Sequence, residues 1–141
     1  MISANRNRGR SRKQVVQVHE THISFYLSGG RLHVFPEALR GIGNPAFVWF
    51  LLSNDGLSMI MEPYNRKVFA SFRVPKGLYE KTDKRTRMEF KCAPFCRMMA
   101  HHLSWDMGQS YRVKGKIYPA QRIVKFDLQS AYPINGESVE V

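Results

Sequence analysis

The chain's 141 residues are 43% hydrophobic and 12% aromatic, enough apolar bulk for a packed core and too much for global disorder. Twenty-two lysines and arginines against 11 carboxylates give a formal charge of +11, which suits anionic partners, nucleic acid the commonest among them. No run approaches the ~18 apolar residues of a membrane helix, two cysteines make no disulfide framework, and the basic N-terminus lacks a signal peptide's apolar segment.

Residues 1–14 read as a disordered basic tail, in which Arg6, Arg8, Arg10, Arg12 and Lys13 stand among glycine, serine and asparagine. A first unit is expected over residues 15–63. His19, Glu20 and His22 read as polar residues at the start of a strand, with Glu20 and His22 on one face and His19 on the other. Gly29-Gly30 is a turn, and residues 31–35 alternate basic or polar with apolar. Pro36 opens a short helix, helped by Glu37 at the positive end of its dipole, and Gly41, Gly43 and Asn44-Pro45 stop it. Phe47–Leu52 is a run of six apolar residues, Asn54-Asp55-Gly56 a hairpin turn, and residues 57–61 the return strand before Pro63 closes the unit.

This order of elements resembles the AbrB/SpoVT swapped-hairpin family of bacterial DNA-binding proteins. Gly30-Arg31, Pro36, Leu39-Arg40, Gly43, Asp55-Gly56 and Pro63 match its pattern, over about a quarter of the chain. The resemblance implies a unit too small to bury its core alone, which pairs with a second copy. It also implies that Arg31 and Arg40 face DNA.

A linker with one strand near residues 68–72 is expected over residues 64–86. The stretch from Arg66 to Lys91 holds nine basic and three acidic residues, among them Arg66, Lys67, Lys84, Arg85 and Arg87 as phosphate-contacting candidates. Residues 87–132 then repeat the plan: a strand to Lys91, a helix opened by Pro94 that runs to about Leu103 or Trp105 before Asp106-Met107-Gly108, and strands over 111–117 and 122–128. Lys114 and Lys116 take the hairpin position equivalent to the first unit's basic residues. Residues 133–141 form a C-terminal tail.

Cys92, Cys96, His101 and His102 lack the paired spacing of a zinc site. At 100° per residue, Phe95, Met98, Met99, His102 and Leu103 share the core-facing arc, with Cys96 at its edge, so His102 should sit against the core and His101 on the surface. No nucleophile elbow, phosphate loop, dinucleotide turn or zinc-protease motif occurs, and the carboxylates are scattered. No catalytic residue, metal or cofactor is expected. Among strand aromatics, Tyr26 and Trp49 are the candidates for an exposed stacking surface.

The sequence thus points to an α+β protein: two strand–helix–strand–strand units in a pseudo-twofold mixed β structure, either a tandem pseudo-dimer as in MraZ-type relatives or a homodimer. The expected function is duplex DNA binding in transcriptional regulation, in the cytoplasm, by a protein that is bacterial, nucleoid-associated or encoded by a mobile element. Charge alone leaves open an RNA or single-strand module, or an antitoxin-like or inhibitor module with a protein partner.

Overall fold

Alternation with period two builds most of this protein. The structure, a computed structural model, describes residues 19–65, 71–80 and 88–134. In β1 (His19–Tyr26) Thr21, Ile23 and Phe25 point inward, and in β2 (Arg31–Val34) Leu32 and Val34 do. Gly30 joins them in the left-handed conformation, φ 63°. A side chain there would come within 2.8 Å of Ala93 Cβ, so the turn requires glycine twice over.

Phe35 in extended conformation caps α1 (Pro36–Gly41), with Pro36 in its first turn, Glu37 near its N-terminus and Arg40 near its C-terminus. Gly43 and Asn44, at φ 99° and 52°, turn the chain away from the helix. β3 (Phe47–Leu52) and β4 (Ser58–Tyr64) form the expected hairpin. Asp55 holds its turn, its carboxylate accepting from Ser53 Oγ at 2.6 Å and from the Leu57 N–H at 3.0 Å. Pro63 does not close the unit as expected. It continues β4 opposite Val48, two residues past the last pair with β8 (Ile123–Asp127), on an edge that no longer needs its missing N–H.

After β5 (Ser71–Arg73) comes a 3₁₀ turn over Lys76–Glu80, held down by Tyr79, whose hydroxyl donates to the Pro45 carbonyl at 2.6 Å. Burial pushes that phenol up to about 12, Arg40 pulling weakly the other way, so it stays a donor. The strand expected near residues 68–72 is therefore present at its C-terminal end, and residues 66–70 lie outside the described part.

The second half repeats the element order with β6 (Met88–Lys91), α2 (Ala93–Leu103), β7 (Ser110–Tyr118) and β8. Ser104, at φ 56°, ends α2 after Leu103, in line with the expected end at about Leu103 or Trp105. The inward stripe of α2 is Phe95, Cys96, Met99 and Ala100, rotated by about 60° from the expected arc. The helix runs so close to the β1–β2 turn that small side chains face it, Cys96 Sγ lying 3.8 Å from the Arg31 carbonyl. Met98 and His102 are consequently exposed, which corrects the placement of His102 against the core. Its Nε2 instead meets the Gly56 carbonyl at 3.2 Å.

All described strands join one sheet in the order β5-β3-β4-β8-β7-β1-β2-β6, with β9 (Tyr132–Pro133) pairing to β7 beyond the end of β8. Every ladder is antiparallel, where a mixed sheet was expected. The helices connect β2 to β3 and β6 to β7, pairs that are not neighbours, so no parallel crossover arises. The sheet is a nearly closed barrel. Phe72 on β5 and Phe90 on β6, the two ends of the path, have ring centroids 4.9 Å apart.

Phe95 reaches from α2 into this seam and meets Phe50, Phe72 and Phe25 at centroid distances of 5.6, 6.2 and 6.5 Å. Truncating it empties the point where sheet edges and helix converge. Phe95→Ala should lower the unfolding free energy by about 3–5 kcal/mol, read from the urea midpoint.

Candidate nucleic-acid interface

The alternation that buries Ile23, Val113 and Val124 also turns a row of polar residues outward. On β1 these are Glu20 and His22, with Ser24 on the same face but buried, on β7 Arg112, Lys114 and Lys116, and on β8 Lys125 and Asp127. The register sets Glu20 opposite Lys116, His22 opposite Lys114, Ser24 opposite Arg112, and Lys116 opposite Lys125. Alternate residues along a strand stand about 6.8 Å apart, so the basic side chains form a regular row. Arg112 Nε donates to Ser24 Oγ at 3.0 Å, and the Lys114 N–H donates to Ser130 Oγ at 2.9 Å, which fixes β7 on both sides. A hollow of about 460 Å³ lies over the strip, walled also by Ser58, Asp127 and Ser130.

Gly115 lies at the middle of this stretch of β7. A Cβ there would stand 2.5 Å from the ring of Phe126, so its absence lets β8 approach and brings Lys125 beside Lys116. Like charges directly opposite in a sheet repel. Among the described residues, neither lysine has a carboxylate within ion-pair distance.

The same sheet holds a contrasting case. Arg31 stands opposite Lys91, and there Glu89 lies between them, its carboxylate 3.4 Å from Arg31 and 3.9 Å from Lys91. Glu89 also meets His33 Nε2 at 3.1 Å, and Arg31 lies 5.7 Å over the ring of Tyr26. Burial works against the Glu89 anion, but His33, Arg31 and Lys91 together hold its carboxyl below the usual range. Positive charge on β2 and β6 is thus answered by Glu89, while among the described residues Lys116 and Lys125 have no carboxylate within ion-pair distance.

His22 registers this field. Burial first, then Arg112 and Lys114, push its imidazole below the usual 6.5, with Glu20 and Glu37 opposing weakly. Cys96 is pushed the other way, to about 11, by burial and by its neighbour Cys92, which leaves an unreactive thiol. Among the described residues no three His, Cys, Asp or Glu side chains gather as a metal site.

Of the expected contact residues, Lys114 and Lys116 belong to the strip. Arg40 lies near its end, sharing a second hollow of about 550 Å³ with His19, Glu20 and Glu37. Arg31 does not belong. It pairs with Tyr26, at the far end of β1 from His19, about 23 Å away, and it is bound to Glu89. Arg6, Arg8, Arg10, Arg12, Lys13, Arg66, Lys67, Lys84, Arg85 and Arg87 lie outside the described residues. Arg112 and Lys125 were not expected. Arg112 was legible in its alternation with Lys114 and Lys116, whereas Lys125 joins them only through the β7–β8 register. Tyr26 and Trp49 do face outward. Trp49 stacks on Tyr64 with centroids 3.9 Å apart, and its Nε1 donates to Glu62 at 2.9 Å.

No helix among the described residues is long and apolar enough to cross a membrane. A histidine held below its unfolded value favours the fold while neutral. That contribution is complete above about pH 6.5 and is lost as pH falls through the folded value. Stability should therefore decline on acidification below pH 6.5, and less steeply in a His22→Gln variant, as urea midpoints measured along a pH series would read. Comparison with protein-family models, with curated proteins and with solved structures finds no match to this chain.

Proposed function

We propose that this protein binds nucleic acid, with duplex DNA as the favoured ligand and transcriptional regulation as its role. The observation that carries the reading is the Lys116–Lys125 pair: two like charges held opposite each other where β7 meets β8, with no carboxylate within ion-pair distance of either among the described residues. Such a pair costs the fold stability and is relieved by a bound polyanion. Lys114, Arg112 and Arg40 extend the row, and the five basic residues of the N-terminal tail would add a phosphate-tracking arm.

The strand pairing supports the AbrB-like, tandem form of this reading. Take β1 to β4 as one unit and β5 to β8 as the other. The first strand of each unit pairs with the third of the other (β1 with β7, β5 with β3), the second strands pair with each other, and so do the fourth. The third and fourth strands pair within each unit. Exchanging the units leaves these six ladders unchanged. The β1–β2 ladder has its counterpart in the β5–β6 seam, where Phe72 meets Phe90. In this reading β5 is the second unit's opening strand, and the chain is a pseudo-dimer whose first strands are interchanged.

A second reading rests on Trp49 and Tyr64. Their stack on the outer face of β3–β4, with Arg73 4.9 Å over the ring of Phe47, is a surface on which unpaired bases could stack. Binding of labelled duplex, single-stranded DNA and RNA across a salt series separates the two.

On the first reading, Lys116→Gln weakens duplex binding and reduces the slope of log affinity against log salt by about 0.9. The same variant without ligand should be more stable by about 0.2–1 kcal/mol. Deleting residues 1–13, with their five basic side chains, should weaken binding to all sequences and reduce the slope by up to about 4.5. Unchanged duplex binding in Lys116→Gln, or preference for single strands lost in Trp49→Ala, would overturn the duplex reading.

A further inference from the structure

The hollow over β1, β7 and β8 is more than a charged surface. Its lining sets an imidazole among three lysines and two carboxylates: His22 stands opposite Lys114 and Glu20 opposite Lys116, with Lys125 beyond and Ser58 and Asp127 on β4 and β8. We infer that this hollow is a discrete site for one phosphate group of the nucleic acid, and that His22 takes up a proton when the phosphate enters. The inference rests on the nucleic-acid reading and names the ligand group at the centre of that site.

The volume, about 460 Å³, admits a phosphate together with part of its nucleotide, and the wall can supply several ammonium donors to one oxyanion. The charges that face His22 come from each element beside it. Glu20 stands on its own strand, Arg112, Lys114 and Lys116 on β7, and Glu37 reaches it from α1. On the other side β2 presents His33, one step along at Ser24. With the hollow empty, the cations outweigh the carboxylates and a further positive charge on His22 is disfavoured. A phosphate reverses the local field, and the imidazolium becomes the favoured form, able to donate to the ligand.

Linkage then fixes the sign. If the anion favours protonation, protonation favours the anion by the same factor. Affinity should rise as pH falls from 7.5 to 5.5, by up to about tenfold for each unit by which the ligand raises the histidine's midpoint. The lysines stay charged throughout this range, so they supply affinity without supplying the pH dependence.

The test uses the full chain and two probes. Inorganic sulfate keeps its charge between pH 5.5 and 7.5 and stands in for a single phosphate, and a short duplex represents the polymer. The His22 midpoint is read by proton NMR with and without sulfate, and duplex affinity is measured at both pH values. The expected result is an upward movement of the midpoint with sulfate and tighter duplex binding in acid. His22→Gln should lose the rise in acid. Lys116→Gln should bind more weakly at both pH values and keep the rise.

A midpoint unmoved by sulfate, in a chain that still binds duplex, overturns the phosphate site and leaves the nucleic-acid reading standing. A duplex affinity that rises equally in His22→Gln also overturns it. A chain that binds no oligonucleotide at any pH overturns the reading beneath it. In that case a sulfate-dependent midpoint would reassign the hollow to a free phosphate compound.

Discussion

The arrangement on which the rest of this structure depends is the closure of one antiparallel sheet on an aromatic cluster. An eight-strand path has two free edges, each a row of unpaired backbone groups that invites association. Here the path bends until β5 and β6 come together, and Phe72 meets Phe90 across the gap while Phe95 descends from α2 behind them. The rings are wide enough to span a seam that the backbone does not bridge. Phe50 contacts Phe72, Phe90 and Phe95, so the β3–β4 hairpin is tied to the closure as well.

Closure of this kind commits the inward positions completely and leaves the outward ones free to diverge. The outer faces of the two hairpins illustrate it. On β7 and β8 the outward residues are Arg112, Lys114, Lys116 and Lys125, and on β3 and β4 they include Phe47, Trp49, Ile60, Glu62 and Tyr64. Both hairpins serve the barrel equally, since Val48, Phe50, Met59 and Met61 do for one what Val113, Ile117, Val124 and Phe126 do for the other. The difference between the faces is therefore not set by the barrel: one carries mainly basic side chains and the other mainly aromatic and aliphatic ones.

Local signals made the first half of the chain legible. The turn at Gly30, the Pro36 helix, its stop at Gly43 and Asn44, and the Asp55-Gly56 hairpin all depend on residues within a few positions of one another, and all stand as read. The second half gave its element order but not its details. The α2 stripe could not be set from hydrophobicity, because Cys96 and Ala100 face inward for being small beside the β1–β2 turn. Pro63 looked like a boundary because β8, which leaves that edge of β4 two residues earlier, is some sixty positions away in sequence. The same limit governed the site. Lys114 and Lys116 announce a common face by alternation, but Lys125 and His22 reach it only through register.

Arg31 shows why a motif is weaker evidence than a neighbourhood. The resemblance places it at a DNA-facing position, and its exposure would allow that role. Yet Glu89, 58 residues later, binds it, and β6 brings Lys91 into the same small network. A guanidinium already paired must lose that partner before it can serve a phosphate, which offsets much of what the new contact gains. The lysines of β7 and β8 start without a carboxylate partner and with a repulsion to relieve, so the same phosphate gains more there. On the nucleic-acid reading proposed above, binding energy should therefore follow the lysines of β7 and β8 rather than the motif strand.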